Sequence, residues 1–127
     1  TQEHIQKALR IRKLLGGGMR QVGYLAAAGI YALDHQVARL QEDHIKASQI
    51  EKVLKSLSFI KKVEPVETNI IIFYLADDLD ETDFVKRLAA KDIAITGMGQ
   101  GKLRIVTHLD FTDEMLEKLV KELQSLY

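Results

Sequence analysis

"NIIIFYL" (Asn69–Leu75) is the stretch on which the fold turns. Up to residue 57 the apolar residues recur at helical spacing. Here β-branched and aromatic side chains follow one another without that spacing, which is the composition of a strand. The preceding "VEPVE" (63–67) reads as part of the same extended run, bent or edged at Pro65, the only proline. Upstream, Val37, Leu40, His44, Ala47, Ile50, Val53, Leu54 and Leu57 mark one stripe, with Arg39, Glu42, Lys46, Lys52 and Lys55 mostly off it. That is a long one-sided helix over residues 36–57.

Downstream, "DETDFVKRLAAKD" (80–92) reads as a helix with Asp80 as N-cap and Phe84, Val85 and Leu88 on its inner face. "IAITG" (93–97) and "KLRIVTH" (102–108) are two short strands joined by the glycines of "GMGQG". Asp110 or Thr112 then caps a last helix carrying Met115, Leu116, Leu119, Val120 and Leu123. The order β-α-β-β-α predicts an α+β domain, a small and mostly antiparallel sheet with helices on one face.

Two helices precede this domain. Ile5, Ala8, Leu9, Ile11, Leu14 and Leu15 give an amphipathic helix over residues 3–15, ended by Gly16-Gly17-Gly18. From Met19 to Leu33 the helical reading continues with apolar or small residues on every face. A helix apolar all round is buried all round, and Gly23, Ala26, Ala27, Ala28 and Gly29 suit close approach of another element. A second domain or subunit is therefore expected to cover it.

Composition narrows the function classes. Eighteen basic and eighteen acidic residues cancel, so bulk charge gives no sign of a nucleic-acid or anionic-membrane partner. The absence of cysteine removes thiolate catalysis and cysteine metal sites, and fits a cytoplasmic location. No apolar run resembles a signal peptide or spans a bilayer. No two of the four histidines share metal-ligand spacing with a carboxylate, so no metal site is expected.

Three basic residues are the candidates for chemistry. In "KLLGGGMR" (13–20) a glycine run flanked by Lys13 and Arg20 offers free N–H groups and charge to an anion. It departs from a Walker loop, where the lysine follows the glycines and a strand comes first; spacing alone favours a helix break. Arg104 stands mid-strand, and its fork matches a carboxylate bidentately. Strand alternation puts Arg104, Val106 and His108 opposite Leu103 and Ile105, so an ordinary exposed-face arginine is the competing account. His108 reads as a surface or cap residue, and His44 as packed.

"RIRKLLGGGMRQVGYLAAAGIYAL" (10–33), "ARLQEDH" (38–44) and "LRIVTHLD" (103–110) closely resemble the low-specificity L-threonine aldolases. These are pyridoxal-phosphate enzymes of the aspartate-aminotransferase-like group, classed with β-eliminating lyases. The resemblance covers essentially the whole chain, but only the C-terminal portion of such an enzyme. It implies that residues 1–35 are the helical end of a large pyridoxal-phosphate-binding domain and residues 36–127 the small domain. It also implies that the Schiff-base lysine, in a segment of the "SKGL" type, lies upstream of Thr1, so no lysine here is catalytic and the chain alone is inactive. Arg104 matches the family's substrate-carboxylate arginine. Lys13 and Arg20 match basic residues near the cofactor phosphate, reaching a neighbouring subunit in a dimer of dimers. The implied reaction cleaves L-threonine or L-allo-threonine to glycine and an aldehyde. A β-eliminating lyase for another amino acid, or a non-enzymatic α+β interaction module, are the alternatives.

Overall fold

The computed structural model describes all 127 residues, Thr1–Tyr127, in two compact units, Thr1–Ala38 and Arg39–Tyr127. The first holds helices α1 (Gln2–Leu14) and α2 (Gly23–His35). The Thr1 side chain caps α1 by accepting from the His4 amide. Gly16, at φ +82°, closes it: the Gly16 and Gly17 amides donate to the Lys13 and Arg12 carbonyls at 3.2 and 2.7 Å. The glycine run therefore finishes one helix rather than opening the next. Helix α2 starts four residues later than the apolar pattern predicts, after a turn in which Gln21 takes φ +50°. No residue of either helix is buried, and Tyr24, Leu25, Ile30, Tyr31 and Leu33 of α2 all face solvent.

The second unit runs α3 (Leu40–Ser56), β1 (Ile60–Val63), β2 (Ile70–Leu75), α4 (Glu81–Ala89), β3 (Thr96–Gly97), β4 (Lys102–Val106) and α5 (Asp113–Gln124). The strands form one sheet in the order β1-β2-β4-β3, antiparallel throughout. This is the expected α+β architecture with one strand more than the pattern gave. The expected strand at 63–67 belongs largely to the connection. The hairpin partner of β2 is instead Ile60–Val63, whose register runs from Ile60 against Leu75 to Val63 against Phe73. Pairing with an already apolar strand, not local propensity, selects it.

Alternation along β2 and β4 sends Ile71, Phe73 and Leu75, and Leu103 and Ile105, to one face. There they join Ala47, Ile50 and Leu54 of α3, Phe84 and Leu88 of α4, and Leu116, Leu119 and Leu123 of α5 in a single core. Each of the Ile, Leu and Phe side chains contributes about 1.5–3 kcal/mol by leaving water. Asp80 caps α4 by accepting from the Asp83 amide, and Thr112 rather than Asp110 caps α5 by accepting from Met115. The long helix starts at Leu40, so Val37 and Leu40 of the expected stripe are exposed, and Asp43 is buried in line with Ala47 and Ile50. No helix is long and apolar enough to cross a membrane.

Candidate functional site

The face of the sheet away from the three helices carries Ile70, Ile72 and Tyr74 from β2 beside Lys102, Arg104 and Val106 from β4. Lys62 and Lys102 place their ammonium groups 5.6 and 5.9 Å from the centre of the Tyr74 ring. Arg104 sits in the middle of this face, paired across the sheet with Ile72 on one side and Thr96 on the other. The alternation expected for Leu103 to Val106 is observed: Leu103 and Ile105 are buried, and Arg104 is half-buried opposite them.

Arg104 forms none of the salt bridges in the chain. Its Nε is buried without a hydrogen-bond partner. A guanidinium donor desolvated and left unpaired is costly. The same residue lines a cleft of about 550 Å³ beside the short strand β3, with Ile93, Ile95, Val106, Phe111 and Met115 supplying apolar walls. Lys118 and Asp92, 3.7 Å apart, stand at its edge. Such a cleft combines apolar walls with one charged fork, the combination that orients a small carboxylate ligand.

His108 lies just beyond β4, largely exposed, and its Nδ1 accepts the Asp110 amide at 3.2 Å. It is a turn residue at the cleft wall. His44 is half-buried on α3. Lys13 lies in the last turn of α1 and Arg20 in the turn before α2; both are exposed and neither enters a salt bridge. The Gly16 and Gly17 amides are already committed to the Lys13 and Arg12 carbonyls, so neither is free for an anion.

Strand alternation puts Thr107 on the face of Leu103 and Ile105, as a buttress of the Arg104 strand; the polar network it joins behind β4 was not foreseen. Thr107 is fully buried, and its hydroxyl donates to the Asp43 carbonyl at 2.8 Å. Asn69 brackets the same residue: its carbonyl accepts the Thr107 amide at 3.0 Å, and its Nδ2 donates to the Thr107 carbonyl at 2.7 Å. Asp43 in turn accepts from Arg39 Nη2 at 2.7 Å. For Asp43 the signal available was its four-residue spacing from Arg39.

The family model described as Beta-eliminating lyase matches residues 1–78. The chain belongs to that family. It is 37% identical over 119 residues to the low specificity L-threonine aldolase of Escherichia coli (strain K12), covering 94% of this chain and 34% of that protein. It is also 37% identical over 115 residues to low-specificity L-threonine aldolase 1 of Arabidopsis thaliana, covering 88% and 32%. The chain thus spans about a third of the length of these relatives. Among solved structures, a decarboxylase from Sulfurospirillum multivorans superposes with a TM-score of 0.65 at 17% identity, covering 92% of this chain and 36% of that one; that likeness concerns the fold alone.

Proposed function

We propose that this chain is the C-terminal part of a pyridoxal-phosphate-dependent lyase that cleaves L-threonine or L-allo-threonine to glycine and acetaldehyde. Residues 1–35 end the large cofactor-binding domain in this reading, and residues 36–127 form the small domain. The observation that carries it is Arg104: a half-buried mid-strand guanidinium with an orphaned Nε, at an apolar cleft, in a chain whose relatives bear that enzyme name.

Pyridoxal phosphate, when bound, supplies a conjugated ring that takes up the electron pair released as the Cα–Cβ bond breaks. Arg104 donates two parallel hydrogen bonds to the substrate carboxylate. Fixing that carboxylate fixes rotation about the bonds to Cα, and with it the orientation of the bond to be cleaved. Lys13 and Arg20, both exposed and without an acidic partner, fit a phosphate as point charge and fork respectively, and serve a neighbouring subunit's site in a dimer of dimers. The exposed apolar surface of α2 is covered by the protein's own large domain. The Schiff-base lysine belongs to that domain, so this chain alone is inactive, and the assembled enzyme is a cytoplasmic homotetramer.

The test is Arg104→Ala in the full-length enzyme. Most threonine cleavage is lost while cofactor absorbance stays. Loss of the absorbance instead would reassign Arg104 to the cofactor. Unchanged cleavage would remove it from the site. A coding sequence with a start codon directly at Thr1 and no upstream cofactor domain sinks the aldolase reading altogether.

A further inference from the structure

Strand β4 changes character along its length. Leu103 and Arg104 are paired on both sides, with Phe73 and Ile72 of β2 and with Gly97 and Thr96 of β3. From Ile105 onward only β2 remains as a neighbour, because β3 is two residues long. The other flank of Ile105 and Val106 opens onto the cleft. Arg104 is thus the last residue of β4 gripped from both edges. The position of its backbone depends on how the free-flanked stretch after it is held.

That stretch is held from behind. Thr107 is fully buried on the core side, where Leu103 and Ile105 are also buried, and its hydroxyl reaches across to helix α3, donating to the Asp43 carbonyl at 2.8 Å. A threonine in an otherwise apolar core satisfies its hydroxyl through this one good bond; the alternative acceptor, the Asn69 carbonyl, is 3.5 Å away. The Asn69 clamp on the Thr107 backbone fixes the same strand end from the β2 side. Asp43 is itself immobilised by Arg39. The four residues Arg39, Asp43, Thr107 and Asn69 tie α3, β4 and the start of β2 together three residues past Arg104.

We infer that Thr107 is a positioning residue for substrate binding: through its hydroxyl it locks the open-flanked end of β4 to α3, and so sets where the Arg104 guanidinium meets the carboxylate. The inference rests on the proposed role of Arg104. An apolar isostere at Thr107 fills the same volume but removes the tie to α3, leaving the strand end held from the β2 side alone. Small displacements of a positioning strand are read out strongly in binding and reaction geometry.

The experiment compares Thr107→Val, Thr107→Ser and Arg104→Ala in the full-length enzyme, measuring KM and kcat for L-threonine, cofactor absorbance and thermal unfolding. Thr107→Val is expected to raise KM about five- to twentyfold with a smaller loss of kcat and unchanged cofactor absorbance. Thr107→Ser, which keeps the hydroxyl but loses a buried methyl, is expected to retain a near-native KM even as its unfolding temperature falls. A purely structural role lowers the unfolding temperature in both variants and leaves both KM values alone; that result overturns the inference. An unchanged KM in Arg104→Ala overturns it together with the role of Arg104, whereas a raised KM in Arg104→Ala with a native KM in Thr107→Val overturns the positioning role alone. If Thr107→Val does not fold, Asn69→Ala, which removes the side-chain half of the clamp on the same strand end, carries the same expectation in weaker form: a raised KM supports the role of the anchor and a native one overturns it.

Discussion

Arg39 Nη2 lies 2.7 Å from Asp43 Oδ1, with the two side chains 19% and 4% exposed. The pair stands at the first turn of α3, where Asp43 would otherwise be an unpaired carboxylate in the same row as Ala47 and Ile50. A buried ion pair contributes little net stability, but half of one is strongly unfavourable because the remaining charge has lost both water and partner.

Arg39→Ala is therefore expected to destabilise the second unit by about 2–4 kcal/mol, with the partial exposure of Arg39 setting the lower end. Arg39→Met combined with Asp43→Leu is expected to fall within about 1 kcal/mol of the starting protein. Urea unfolding of the 127-residue chain distinguishes these. A single variant as stable as the parent would show that water reaches Asp43.

A second clamp holds the β3–β4 turn. Both carboxylate oxygens of Glu81, on the first turn of α4, accept backbone amides of the turn, from Gly99 at 3.0 Å and Gly101 at 2.9 Å. A Cβ on Gly97 would fall on Glu81 Oε1. Gly97→Ala and Glu81→Ala are thus expected to break the same pair of bonds, each losing about 1–2 kcal/mol. The double variant should lose little more than either single, a non-additivity that denaturant unfolding reads as a coupling energy. Strict additivity would mean that Gly97→Ala acts elsewhere.

How much of this was legible in the sequence follows from what each residue depends on. Asp80 and Thr112 satisfy amides within their own helix turns, so local pattern sufficed to find the first and to narrow the second to Asp110 or Thr112. Alternation likewise gave the face of Arg104, although the role proposed for it needed the family resemblance, because an unpaired donor and an ordinary surface arginine read alike. Strand β1 was misplaced because "IKKV" looks like a helix tail until Val63 is set against Phe73. No pattern in the sequence marks Asp43 as buried, because a charge is normally solvated, and only the fold brings it under the strand that Thr107 follows. The late start of α2 rests on a left-handed Gln21, which no apolar period encodes.

Acid should weaken the start of α5 in a defined way. The Glu114 carboxyl is held below its ordinary 4.5 by a hydrogen bond from Thr112, then by its own backbone amide, with Lys46 adding attraction. A carboxyl depressed in the folded state stabilises above its unfolded value, and that contribution is lost as pH falls through the folded one. Stability should therefore decline as pH drops below 4.5, with part of the decline absent in Glu114→Gln. Glu64 is lowered in the same sense, first by its bond from Lys62, while Lys62 is raised above 10.5 by that bond and surrenders its contribution as pH rises past it. All three groups are surface-exposed, so the effects are small and salt-sensitive. Parallel pH profiles of unfolding for parent and Glu114→Gln, showing no difference on the acid side, would remove Glu114 from this account.

The sharpest functional prediction follows from the proposed role of the Arg104 fork in holding a substrate carboxylate. Lysine at this position keeps the charge but loses the planar pair of donors, and its shorter reach leaves the carboxylate free to rotate. In the full-length enzyme Arg104→Lys is expected to lower kcat/KM for L-threonine by about ten- to a hundredfold, and Arg104→Ala by more. Arg104 makes no salt bridge that would be lost with it, and it lines the cleft, so its removal is expected to open space there. Added guanidinium should therefore restore part of the activity of Arg104→Ala, saturably, while leaving Arg104→Lys unimproved. Steady-state rates across a guanidinium series, at concentrations too low to unfold the parent, provide the check. Rescue of both variants alike, or of neither with Arg104→Lys fully active, would show that charge alone and not the fork holds the substrate.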